Sequence, residues 1–130
     1  MRLERRFTKD GQKAYANIEF RNATSEIRNP DGTIVFRAEN IQVPKQFSQV
    51  ATDILAQKYF RKAGVPVALK PVEENAVPSW LWRSTSDTKA LAKLPEDQRF
   101  IGETSAKQVF DRLAGTWTYW GWKGGYFSDE

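Results

Sequence analysis

Thr104-Ser-Ala-Lys-Gln-Val-Phe-Asp-Arg-Leu-Ala-Gly-Thr-Trp-Thr-Tyr-Trp-Gly-Trp-Lys-Gly-Gly-Tyr-Phe127 holds a helix start, an apolar period and a glycine stop in one run, with three of the five tryptophans. Ser105 followed by Gln108 has the spacing of a capping box: the hydroxyl accepts from a free backbone N–H, and the amide reaches back. Ala106, Val109, Phe110, Leu113, Ala114, Trp117 and Trp120 then recur at three- and four-residue steps, which lines one face of a helix with apolar groups. The spacing predicts a helix over 105–120, stopped by Gly121, Gly124 and Gly125.

The aromatic density exceeds what one helix face can hide. Trp117, Tyr119, Trp120, Trp122, Tyr126 and Phe127 leave this short segment in several directions. They could form the core of a small domain. They could pack on protein outside this chain, because large exposed apolar patches mark interaction surfaces. They could also stack on nucleic-acid bases.

Working back from that helix, residues 14–21 alternate, with Ala16, Ile18 and Phe20 against Asn17, Glu19 and Arg21, as a half-buried strand does. Asn29-Pro30-Asp31-Gly32 is a turn signal between residues 24–28 and 33–37, so these read as a hairpin extended by the 14–21 strand. It lacks the Gly-x-x-x-x-Gly-Lys pattern of a phosphate loop. A second helix is expected over 48–62. Ser48 would be its N-cap, Val50, Ala51, Ile54, Leu55 and Tyr59 its buried stripe, and Gly64 and Pro66 its stop. Residues 65–85 hold three prolines and no helical period, and read as an extended connection that docks Trp80 and Trp82. Asp87 or Ser86 can start a short helix through Leu94, and Pro95 a further single turn. The expected class is α+β: a small antiparallel sheet followed by two main helices and an extended connection. The expected layout is a flexible basic arm over 1–13, with Leu3 and Phe7 tucked in, one domain over 14–127 and a short tail over 128–130.

Composition narrows the chemistry. There is no cysteine and no histidine among the 130 residues, which removes thiol nucleophiles, disulfides, Cys/His metal sites and imidazole catalysis. The carboxylate pairs Glu73/Glu74 and Glu96/Asp97 are adjacent in sequence and so diverge, whereas a catalytic pair must converge. Asp53 and Asp111 read as helix-surface charge. No catalytic, cofactor-binding or metal-ligating residue is nominated. The net charge of +4 is concentrated in residues 1–62, with twelve Lys/Arg against seven Asp/Glu. A basic half could meet phosphates through Arg5, Arg6 and Lys9, although an ordinary solvated surface accounts for it. No apolar run has the length of a membrane span and no signal-peptide core follows Met1, so a cytoplasmic location is expected.

Three strings together carry a resemblance: Phe47-Ser-Gln-Val-Ala-Thr-Asp-Ile-Leu-Ala-Gln-Lys-Tyr-Phe-Arg-Lys-Ala-Gly-Val-Pro66, Val77-Pro-Ser-Trp-Leu-Trp-Arg83, and the stretch from Gly102 to Phe127. With the hairpin Arg28-Asn-Pro-Asp-Gly-Thr33, they resemble the N-terminal region of the bacterial adenosylcobalamin-dependent (class II) ribonucleotide reductases, over essentially the whole chain. The resemblance implies a parent enzyme of DNA precursor synthesis that reduces ribonucleotides, as a ribonucleoside-diphosphate reductase, by a radical route. It implies that the cysteines, the cobalamin and the substrate sit in an α/β barrel further along the polypeptide. No position of this chain matches those catalytic residues. The chain then reads as a non-catalytic fragment without cofactor, packing on the barrel of the same polypeptide through Trp117, Tyr119, Trp120, Trp122, Tyr126 and Phe127. A homo-oligomer covering the same rings is the other partner implied. The rival functions are a regulatory nucleotide-binding module, for which no motif is present, and a basic nucleic-acid binder; neither a nucleic-acid nor a membrane partner is expected.

Overall fold

The buried Ile41 and Val43 of one segment and Ala23 and Ser25 of the other recur at two-residue steps, with Ala23 opposite Ile41 and Ser25 opposite Ala38, and this alternation closes a two-stranded ribbon. The computed structural model describes Met1–Glu130 and pairs β1 (Phe20–Arg28) antiparallel with β2 (Ile34–Pro44). The Asn29–Gly32 turn forms as its residues dictate: Gly32 N–H donates to Asn29 O at 2.9 Å, Gly32 has φ 88°, and Asp31 accepts from Thr33 N at 2.9 Å. The hydroxyl and amide of Thr33 hold the Asp31 carboxyl below its usual range. The register slips after Ala23↔Ile41, where Ser25 pairs Ala38, so Glu39 and Asn40 of β2 stand opposite Thr24 alone and β2 carries one extra residue. Asn40 takes φ 54°, the left-handed conformation an asparagine tolerates in a bulge. The strand expected over 14–21 does not form. Ala16 N bonds Lys13 O and Ile18 N bonds Tyr15 O, which winds this segment into turns, and the ladder starts only at Phe20. Leu3 and Phe7, expected to tuck in, are exposed.

The chain forms two compact units. One comprises Glu4–Phe60 and Thr104–Phe110, the other Met1–Leu3, Arg61–Glu103 and Asp111–Glu130. In the first, Ser48 caps α1 (Gln49–Ile54) by accepting from Ala51 N at 3.1 Å. The helix then widens into a π turn, Leu55–Tyr59, closed by Phe60 N to Leu55 O. It therefore ends before the expected residue 62. Its buried face is not the expected apolar stripe: Thr52, Leu55, Ala56 and Phe60 are buried, whereas Val50, Ile54 and Tyr59 are exposed. The reason is polar. Ser25, fully buried on β1, donates to Asp53 at 2.7 Å and accepts from Gln57 at 3.2 Å, while Gln49 donates to Asp53 and to Thr24 O. A buried hydroxyl must be satisfied, and these bonds turn the polar edge of α1 toward the ribbon.

In the second unit, the extended connection forms short antiparallel pairs: β3 (Val65–Pro66) with β6 (Phe100–Ile101), and β4 (Leu69–Pro71) with β5 (Ser84–Ser86). Asp87 caps α2 (Thr88–Ala92) through Ala90 N at 3.1 Å, and Pro95 opens a single turn over Glu96–Gln98, as expected. Val77, Leu81 and Leu91 are buried. Trp82 docks, donating its indole N–H to Val77 O at 2.9 Å, but Trp80 stays 63% exposed. Glu103 is the buried charge of this unit. Its carboxylate accepts from Arg61 N at 2.8 Å and from Arg112 Nη2 at 3.1 Å, with its side chain 4% exposed and that of Arg112 27%. Gly102 beside it has no room for a side chain, since a Cβ would lie 2.8 Å from Lys62 O.

Removing one partner of a buried ion pair strands the other. Glu103→Ala is therefore expected to lower unfolding stability by about 3 kcal/mol in urea titration. Glu19→Ala, which breaks the exposed pair to Lys45, should cost less than about 1 kcal/mol.

Candidate functional site

The capping box at the start of α3 (Ala106–Lys123) is present. Gln108 Oε1 accepts from Ser105 N at 3.0 Å and from Thr104 N at 2.8 Å, and Ser105 Oγ accepts from Lys107 N at 3.2 Å. Lys107 also places its ammonium 4.5 Å from the centre of the Phe20 ring, a cation–π contact. The helix runs past Gly121 to Lys123. The terminator is a Schellman motif, with Gly125 N to Trp122 O, Tyr126 N to Gly121 O, and Gly125 at φ 73°. Gly121 has a different use: the Phe127 ring lies where its side chain would be, 2.6 Å from an ideal Cβ.

The six aromatic residues nominated for docking divide into two groups. Tyr119 donates to Glu74 Oε2 at 2.7 Å, Trp122 donates its indole N–H to Ala76 O at 2.6 Å, and Phe127 folds back on Gly121. These three hold the unit together. Trp117, Trp120 and Tyr126 are 63%, 64% and 66% exposed. A helix turns 100° per residue, so Trp117 and Trp120 continue the stripe that Ala106 and Val109 begin. Ala106 and Val109 are almost wholly buried. In its second half the helix is held by the bonds of Arg112, Tyr119 and Trp122, none of them on that stripe, and Trp117 and Trp120 face solvent.

Glu74 anchors that packing. Lys123 Nζ lies 2.6 Å from Oε1, Arg83 Nη2 lies 3.7 Å from Oε2, and the Arg83 guanidinium sits 5.5 Å from the Tyr119 ring centre. The Lys123 hydrogen bond, then that of Tyr119, holds the Glu74 carboxyl below its usual range, and the bond to Glu74 pushes both Tyr119 and Lys123 upward. Sequence reading treated Glu74 as a loop carboxylate. Nothing in the local pattern marks it, because its partners lie nine and more than forty residues away. Its acceptor capacity is taken up by these donors, and the remaining carboxylates do not converge with it. No group of three or more His, Cys, Asp or Glu side chains could hold a metal ion. The described pocket is an open polar groove lined by Asn17, Glu19, Lys45 and Gln46. No helix is long and apolar enough to cross a membrane. What the arrangement offers chemically is a rigid aromatic surface.

The Glu74 cluster fixes the sign of a pH effect. A lowered folded pKa gives stability that is complete above the usual carboxylate range and lost as pH falls through the lowered value. Raised values for Tyr119 and Lys123 give stability complete below their usual range and lost as pH rises through the raised values. Thermal melts should therefore show a plateau at neutral pH with losses at both ends. Glu74→Gln should lower the plateau and flatten both flanks; unchanged flanks would deny the cluster this role.

Comparison with known proteins bears on what this surface belongs to. The family model described as class II vitamin B12-dependent ribonucleotide reductase matches residues 21–130. A vitamin B12-dependent ribonucleotide reductase of Agrobacterium fabrum is 72% identical over 130 residues, covering 100% of this chain and 10% of the relative. A protein of the same name from Bradyrhizobium diazoefficiens is 66% identical over the same length and share. The chain spans about a tenth of the length of these relatives. Matched along almost all of its length to the N-terminal part of such enzymes, the chain belongs to the class II vitamin B12-dependent ribonucleotide reductase family.

Proposed function

We propose that the chain is a non-catalytic N-terminal module of an adenosylcobalamin-dependent reductase of DNA precursor synthesis. In this reading the parent enzyme works in the cytoplasm and converts ribonucleotides to deoxyribonucleotides by a radical route, with its catalytic barrel in the remainder of the polypeptide. The module braces that barrel through its aromatic surface. The observation that carries the reading is the division of the six rings: three are used internally and three present a stripe with no catalytic constellation beside it. The side chains present do not fit the cofactor: the open groove lined by Asn17, Glu19, Lys45 and Gln46 gives a corrin ring no enclosure. The cobalamin is accordingly assigned to the rest of the enzyme.

Calorimetric titration of the chain with ATP and with dATP separates this reading from a regulatory nucleotide site. No saturable heat is expected. Heat saturating at one nucleotide per chain would overturn the bracing role in favour of a regulatory nucleotide site. In the intact reductase, Tyr119→Phe should leave the KM for ribonucleotide within about twofold, because the hydroxyl meets Glu74 and no substrate.

A further inference from the structure

The exposed half of the α3 stripe needs one occupant, and its size, flanks and course restrict what that occupant is. We infer that Trp117 and Trp120 insert into an apolar groove on the remaining part of the same reductase polypeptide, not on a second copy of the chain. This rests on the reading above and specifies its partner.

Size is the first restriction. A large aromatic side chain buries about 150–250 Å². Trp117, Trp120 and Tyr126, each about two-thirds exposed, therefore offer roughly 300–500 Å². A stable interface between free proteins needs about 800 Å² from each partner. The patch falls short for a homodimer held by this face alone. A tethered partner has no such requirement, because the covalent link raises its effective concentration to about the millimolar range. The relatives are about ten times the length of this chain, so a tethered partner exists in proteins of this kind.

The flanks are the second restriction. The ammonium of Lys123 is bound at 2.6 Å by Glu74, and Arg112 is held by Glu103 at 3.1 Å. These two cations of α3 are thus neutralised within the module, which favours an apolar partner over nucleic acid for the helix face. Preorganisation is the third. The Schellman turn, the Phe127 ring on Gly121, and the Tyr119 and Trp122 bonds fix the last turns of α3, so little order is lost on docking.

The test uses the intact reductase, with Trp117 and, separately, Trp120 replaced by the photo-reactive p-benzoylphenylalanine. Both positions are exposed in the module, so the replacements leave its fold intact; the same group at Trp80, also 63% exposed, is the reference. Irradiation should give cross-links at 117 and 120 to peptides beyond residue 130 within one polypeptide, identified in a mixture of light and heavy isotope-labelled enzyme, and fewer from position 80. Cross-links joining light to heavy copies would overturn the tethered partner. Absence of cross-links from 117 and 120 above the level at 80 would overturn docking altogether. Either failure leaves the calorimetric result untouched, whereas nucleotide heat would indicate a regulatory site and leave the cross-links as they are.

Discussion

The carboxylate of Glu103 ties together three stretches that sequence keeps apart. It accepts from the backbone of Arg61, where the helical segment has just ended. It lies beside Gly102, which has room for no side chain, and it pairs with Arg112 on the long helix. A charge this far out of water is tolerated only if its lone pairs are satisfied, and here they are. The cost of leaving it unpaired makes the arrangement specific: moving Arg61 or Arg112 would strand it. Arg112, with Tyr119 and Trp122 further along, holds the second part of α3 through bonds off the apolar stripe, while Trp117 and Trp120 stay exposed.

Local signals in the sequence reached their targets where the chemistry is local. The Asn29–Gly32 turn, the Ser48 and Asp87 caps, the Ser105–Gln108 box and the single turn after Pro95 each depend on residues within four positions of one another. Readings that needed a partner's identity failed. Val50, Ile54 and Tyr59 have helical spacing, yet the ribbon presents Ser25 to α1, and a buried hydroxyl attracts Asp53 and Gln57. The 14–21 alternation is real, but alternation without a neighbour to pair is insufficient for a strand, and local turn bonds prevail. Gly121 looked like a stop because glycine often is one; its use as the seat of Phe127 is visible only in three dimensions.

The aromatic cluster shows the same division. Its density was plain in the sequence, and so was its excess over what one helix face can bury. Which rings would remain outside was not, because that depends on Glu74 and the Ala76 carbonyl, more than forty residues earlier. Membership in the reductase family gives the excess a setting: the relatives are about ten times the length of this chain, and in the proposed reading the exposed rings meet that remainder. Three rings are consumed in making α3 rigid, and that rigidity presents the other three in a fixed geometry.

Hydroxyl-radical footprinting of the intact, wild-type reductase tests this account most directly, since it reads each tryptophan in place. Trp80 serves as the internal standard, being as exposed in the module as Trp117 and Trp120. The account predicts that Trp80 is oxidised readily while Trp117 and Trp120 are oxidised at least about tenfold more slowly, as burial of both rings requires. Equal oxidation of all three would show the stripe in water in the working enzyme, and would contradict it.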